Sequence, residues 1–189
     1  AEAEAPGVDL FLPALRWLAS EKERVVAYVV THAHEDHLRA LPHALKRAPA
    51  PVYGRPFTMR MAEGLLRDSG VRGDLNVLAP GNRVALRGFD LEVLPVAHSI
   101  PDACAIALTS NGPSGGLTAV HTGDLKLELD DEGRADLGRL RAVGDRGVAL
   151  LALGATNATR PGRARREADV ERSLFEAIIR ALKNEHVEV

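Results

Sequence analysis

Cysteine occurs once in the 189 residues, at position 104. A lone thiol cannot close an internal disulfide, which excludes the small disulfide-stapled secreted folds and points to a reducing, cytoplasmic setting. Long apolar runs are missing too. Nowhere do about 18 apolar residues follow one another, and no charged-then-apolar leader opens the chain, so no membrane partner is expected. There is no excess of either charge: 24 Lys and Arg against 26 Asp and Glu give a formal net charge of −2 and a pI near 6.4. That balance removes any global attraction to a polyanion, so contact with a nucleic acid must come from a local patch or from bound cations. Internal repeats and low-complexity linkers are also absent, which excludes a repeat array.

What is present suffices for one folded domain, since 46% of the residues are hydrophobic. Residues 1–6 alternate Ala and Glu without an apolar face and read as a frayed, disordered or appended end. The domain is expected over residues 7–189. Residues 25–30 form a short, β-branched apolar run, the pattern of a strand covered on both faces. A loop at 31–37 follows, then a helix with Pro42 in its first turn, where a missing N–H costs nothing. Val52 and Tyr53 repeat the strand, and a helix from Pro56 to about Ser69 is stopped by Gly70.

From Asn76 onward the rhythm becomes that of strands. Phe89, Leu91 and Val93 alternate with Asp90 and Glu92, so one face of that strand is expected to be buried. Residues 103–108 and 117–121 read as a hairpin joined by the Gly- and Pro-bearing turn at 111–116. Residues 125–147 read as a surface crossover with a short helix near 137–143. A buried strand at 148–153, a loop at 154–163 and a helix at about 167–183 complete a mixed α/β order with helices packed on a sheet.

The chemistry concentrates directly after the first strand, where His32, His34, Asp36 and His37 fall within six positions. His32 and His34, two apart in extended backbone, point to the same side and can share one cation. Asp36 and His37 at the turn can reach a second. Imidazole with carboxylate suits Zn²⁺ or Mn²⁺, and no thiolate is required. The competing reading, a histidine-rich surface loop, does not account for the spacing. His98 and Asp124 each follow an expected strand, and strand ends feeding one edge are where α/β sites gather. Taken singly, either would pass for an ordinary core or turn residue. His121 reads as an orienting or core histidine, and His43 and His186 as solvent-facing.

These segments together resemble the metallo-β-lactamase superfamily, and within it the β-CASP branch of ribonuclease J. The likeness rests on residues 31–37 with Leu41 and Pro42, on His98, Ser99, Ile100, Pro101 and Asp102, and on His121, Thr122, Gly123 and Asp124. Thr156, Asn157 and Ala158 with Arg160, Pro161 and Gly162 continue it in the same order, and Gly7, Val8, Asp9 and Leu10 precede it. The resemblance implies an αββα sandwich, of which this chain supplies roughly the N-terminal half, ending near where a β-CASP insert would begin. It makes His32, His34 and His98 the ligands of one metal, gives Asp36 and His37 to a second, and sets Asp124 between the two. It further implies RNA as the partner, homo-oligomers as an expected assembly, and phosphodiester hydrolysis by a hydroxide bridging two metals, Zn²⁺ before Mn²⁺, with Asp36 and Asp124 catalytic. The second site is expected to be incomplete within this chain.

Two departures from the pattern stand out. An Asp-Ser-Thr-Asn stretch of the family becomes Gly154, Ala155, Thr156 and Asn157, removing a carboxylate expected beside the site; restoring it at 154 is expected to raise activity. A Gly-Gly pair becomes Arg39 and Ala40, placing a cation near the metal entrance, where it would repel a metal or contact a phosphate. Two other functions fit the same residues: a metal-binding but inactive RNA-binding or scaffold protein, and a hydrolase of a thioester, lactone or β-lactam, because this fold does not fix its chemistry.

Overall fold

The computed structural model describes residues 12–112, 116–126, 137–156, 158–162 and 165–184. Expectations placed on residues 1–10, Asn157, Arg163 and His186, on the middle of the 111–116 turn and on much of the 125–147 crossover lie outside the described residues. Backbone proximity divides the chain into one unit ending at Gly154 and another beginning at Ala155.

The first unit opens with the short helix α1 (Arg16–Ser20) and a 3-10 turn at Lys22–Arg24. Strand β1 (Tyr28–Val30) is shorter than the apolar run 25–30, and its parallel neighbour β2 (Val52–Gly54) explains why. Tyr28 donates its N–H to the Pro51 carbonyl at 2.8 Å, and Pro51 has no N–H to return. The ladder therefore starts there, leaving Val25, Val26 and Ala27 half-buried outside it. Between the two strands lie the single-turn helix α2 (Glu35–Leu38) and α3 (Leu41–Arg47), whose Pro42 does occupy the first turn. Helix α4 (Pro56–Asp68) follows β2, the chain turns at Gly70 with φ +62°, and β3 (Leu75–Val77) pairs parallel with β2. Parallel neighbours need a long crossover, which these helices supply.

The second sheet runs in the order β4 (Arg83–Leu86), β5 (Phe89–Pro95), β6 (Cys104–Ser110), β7 (Thr118–His121) as antiparallel neighbours. After α5 (Leu137–Asp145), β8 (Leu150–Ala152) returns parallel to β7. The sequence reading missed α1 and β4, although Arg87 and Gly88, the latter at φ +83°, form the two-residue turn that marks a hairpin there.

Alternation along the strands sorts the side chains into layers. Tyr28, Val30 and Val52 face α3 and α4, packing with Leu41, Leu45, Met59 and Leu66. Val29 and Tyr53, on the other face of the first sheet, meet Leu91, Val93, Cys104 and Ile106 of the second. The far side of the second sheet, with Leu94, Ala105, Ala107 and Val120, is covered by Leu140 and Val143 of α5. The order is helix, sheet, sheet, helix, the expected αββα arrangement. Each fully buried Leu or Val contributes on the order of 1.5–3 kcal/mol.

The strand expected to be buried at 148–153 is corrected on both counts. Only three residues join the ladder, and Leu150, Leu151 and Leu153 are exposed. The physical reason is position: β8 is an edge strand bonded on one side, and it belongs to none of the apolar clusters among the described residues. The second unit holds helix α6 (Glu167–Asn184), close to the expected 167–183. No helix among the described residues is long and apolar enough to cross a membrane.

Candidate metal centre

The carboxyl ends of β1, β5 and β7 open onto one edge, and each delivers part of a single cluster. His32 and His34 leave β1 in extended backbone, His34 then standing just before α2 with ψ 150°. This geometry turns both rings to one side. His98 stands on the loop between β5 and β6, and Asp124 on the turn after β7. Three of the expected ligands, His32, His34 and His98, come together as one group, and His32, His37 and Asp124 form a second; within each, the candidate ligand atoms all lie within 4.8 Å of one another.

The first group has the dimensions of a cation site. His34 Nδ1 lies 3.1 Å from His32 Nε2 and 3.2 Å from His98 Nε2. A tetrahedral zinc with Zn–N bonds of about 2.0–2.1 Å holds its nitrogens roughly 3.3 Å apart, so the two spacings from His34 Nδ1 are close to the required one. The donor chemistry agrees, because neutral imidazole is the metal-binding form. His32 is fully buried, and burial, aided by the neighbouring His37, His98 and His34, pushes its pKa down to about 4 against the partial opposition of Asp124. Burial also lowers His98, with His34 adding to the shift and Asp124 opposing it. Both rings are thus neutral at neutral pH. Thr31 Oγ1, 3.0 Å from His32 Nδ1, orients the ring from behind so that Nε2 faces the cluster.

The second group is looser. Asp124 Oδ2 sits 3.8 Å from both His37 Nε2 and His98 Nε2, between the two groups, as a shared carboxylate would. Asp36 stands apart from both groups: its side chain is 78% exposed, and Oδ2 lies 3.5 Å from His37 Nε2. His121 is exposed, and its Nδ1 accepts the Gly123 N–H at 3.0 Å, an orienting role for the turn that carries Asp124. His43 is half-buried rather than solvent-facing, since α3 lays it beside the core residues Pro42 and Ala44. Arg39, expected at the metal entrance, is held by Glu35 at 3.0 Å on the exposed face of α2.

Sequence reasoning missed the residues that hold the Asp124 turn. Gly123 has φ +58°, and a Cβ there would lie 2.8 Å from Thr31 Cβ, so only glycine lets the turn close against the residue preceding His32. Gly154 is similar. Its N–H donates to Thr122 Oγ1 at 3.0 Å, and a Cβ would lie 2.6 Å from the Gly123 carbonyl and 3.4 Å from Asp124 Oδ1.

The chain belongs to the metallo-beta-lactamase superfamily, whose sequence profile matches residues 4–153. It is similar to ribonuclease J of Thermus thermophilus, 36% identical over 95% of this chain and 33% of that protein. It is likewise similar to ribonuclease J of Sinorhizobium meliloti, 37% identical over 93% of this chain and 31% of that protein. The chain thus spans about a third of the length of these relatives. A solved protein of unknown function from Enterococcus faecalis V583 shares the fold with a TM-score of 0.52 at 21% identity, over 75% of this chain and 34% of that one.

The lowered pKa of His32 sets a pH dependence. Its folded pKa of about 4 lies below the ordinary 6.5, so the unfolded chain takes up the proton first, and stability is whole above pH 6.5 and declines as pH falls toward 4. Thermal melts of metal-free protein should fall across that window, and His32→Gln should give a shallower decline; parallel slopes would contradict the assignment. The packing at Gly154 opposes the expected gain on restoring a carboxylate there. Gly154→Asp forces Cβ against the Gly123 carbonyl and a second negative charge toward Asp124, an overpacking of about 1–3 kcal/mol. Zinc competition assays should show affinity about tenfold lower in Gly154→Asp, not higher.

Proposed function

We propose that this chain carries the metal-binding half-site of a metal-dependent hydrolase of RNA phosphodiesters, working in a reducing cytoplasm. The observation that carries the proposal is the convergence of three imidazoles, with His34 Nδ1 standing 3.1 Å and 3.2 Å from a ring nitrogen of His32 and of His98 and a carboxylate 3.8 Å from one of them. The similarity to ribonuclease J supports RNA as the substrate.

His32, His34 and His98 would hold one divalent cation, zinc before manganese, and His37 with Asp124 a second. Cations so held lower the pKa of a bound water and polarise a phosphoryl oxygen. The residues do the rest. Burial keeps His32 and His98 deprotonated and available as donors. Asp124 offsets positive charge between the groups, and Asp36, at the open rim beside His37, offers Oδ2 to hold a proton of the attacking water. The two cations are not equivalent. His32 belongs to both groups, yet Nδ1 faces Thr31, leaving one ring nitrogen to serve a single cation. When the first group takes it, the second keeps only His37, Asp124 and the exposed Asp36.

The exposed position of Asp36 favours a second reading, a protein that binds metal and RNA without cutting, because among the described residues the two groups hold no acid but Asp124, and Asp36 beside them is 78% exposed. Calorimetric titration of metal-free protein with Zn²⁺ should show one tight event and a second at least about tenfold weaker, and His32→Ala with His34→Ala should abolish the tight one. A longer protein that joins this chain to a β-CASP insert and returning half should hydrolyse a 5′-phosphorylated oligoribonucleotide in preference to a thioester or a β-lactam, whereas this chain alone should show negligible cleavage. Bound RNA without cleavage would favour the second reading, and unchanged zinc stoichiometry in the double variant would overturn both.

A further inference from the structure

Of the three histidines in the tight group, two are set by the end of β1, and the third stands on a loop that the sheet ties only at its base, with Ile100 packed on the core beyond it. His98 stands in residues 96–103 between β5 and β6. Before it, the backbone is tied down: Val96 N–H donates to Ala103 O at 3.1 Å, and Ala97 O accepts from Lys126 N at 2.8 Å. After it, the chain leaves every ladder until β6 begins at Cys104. The turn back is made at Asp102, whose φ of +61° is the only positive value at a non-glycine among the described residues. Such backbone persists only where surrounding contacts over-determine it.

Those contacts come from a distant part of the chain. Asp102 Oδ1 accepts from Arg55 Nη2 at 2.9 Å, and Oδ2 accepts from the Phe57 backbone N–H at 2.9 Å, in the first turn of α4. A carboxylate there meets both a guanidinium and the positive end of a helix. The dependence runs both ways. Arg55 is buried, its Nε and Nη1 have no hydrogen-bond partner, and Asp102 supplies its ion pair. Removing the carboxylate would strand a buried charge and release the loop at once.

We propose that Asp102, clamped by Arg55 and the Phe57 N–H, is a positioning residue that holds the 96–103 loop against α4 and so keeps His98 Nε2 at its 3.2 Å spacing from His34 Nδ1. The inference rests on the reading of His32, His34 and His98 as metal ligands. It assigns the clamp no contact with metal or substrate: its effect travels through the loop to one ligand.

The test compares purified wild type with Asp102→Ala, Asp102→Gly, Asp102→Asn and His98→Ala. Zinc affinity is read by competition with a chelating dye, the ligand field by the visible spectrum of bound Co²⁺, and folding by far-ultraviolet circular dichroism. Asp102→Ala should weaken zinc binding by about 10–100-fold and alter the Co²⁺ spectrum of the folded protein. Asp102→Gly should behave like Ala, because it relieves the backbone but not the loss of the clamp. Asp102→Asn keeps the shape but faces one of its two donors with an amide N–H whichever way it turns, so about a tenfold loss is expected, and it carries the comparison if Ala fails to fold. A purely structural role would lower stability and leave the Co²⁺ spectrum of the folded fraction unchanged. Folded Asp102 variants with wild-type zinc affinity and spectrum, while His98→Ala has lost both, would overturn this inference alone. Zinc affinity unchanged in His98→Ala would overturn the metal reading and this inference with it.

Discussion

Thr31 is the junction on which the site depends. Its carbonyl accepts the Cys104 N–H at 2.9 Å, which joins the end of the first sheet to the start of β6 in the second. Its hydroxyl lies 3.0 Å from His32 Nδ1 and so decides which ring nitrogen faces the cluster. Its Cβ fills the space that a side chain at Gly123 would need, which lets the Asp124 turn close on it. One residue thus fixes sheet-to-sheet spacing, the presentation of the buried histidine and the approach of the shared carboxylate. Displacing it would move donors from three chain segments at once.

Burial then determines the chemistry. In water a cluster of imidazoles would repel once protonated, but desolvation at His32 suppresses protonation before repulsion arises. Within the cluster, His34 Nδ1 is shared between His32 Nε2 at 3.1 Å and His98 Nε2 at 3.2 Å. On the proposed reading, a divalent cation would replace these contacts with metal–nitrogen bonds. The cluster runs from buried His32 to exposed Asp36, and on the proposed reading its inner side would hold a cation while its outer side would meet substrate and water.

Much of this was legible in the sequence because the site is dense and local at its start. His32, His34, Asp36 and His37 announce themselves by spacing, and the alternation at Phe89, Leu91 and Val93 gives a strand, although Phe89 is exposed and the opposite face is buried at Leu94. The strand ends carrying His98 and Asp124 follow from the same periodicity. What could not be read depends on contacts between distant residues. The pairing of Arg55 with Asp102 spans 47 positions. The need for glycine at 123 and 154 comes from the close approach of three turns rather than from any local pattern. The β8 leucines misled for a related reason: an apolar run indicates capacity for burial, and whether a layer covers it is a tertiary matter.

The central claim is that three imidazole nitrogens from two chain segments form one cation site. It is tested most directly by zinc-edge anomalous diffraction from crystals soaked in a stoichiometric amount of Zn²⁺. The account predicts one strong anomalous peak about 2.0–2.1 Å from His32 Nε2, His34 Nδ1 and His98 Nε2, with any second peak near His37 and Asp124 weaker. A strong peak elsewhere on the surface with none among these three nitrogens would contradict it.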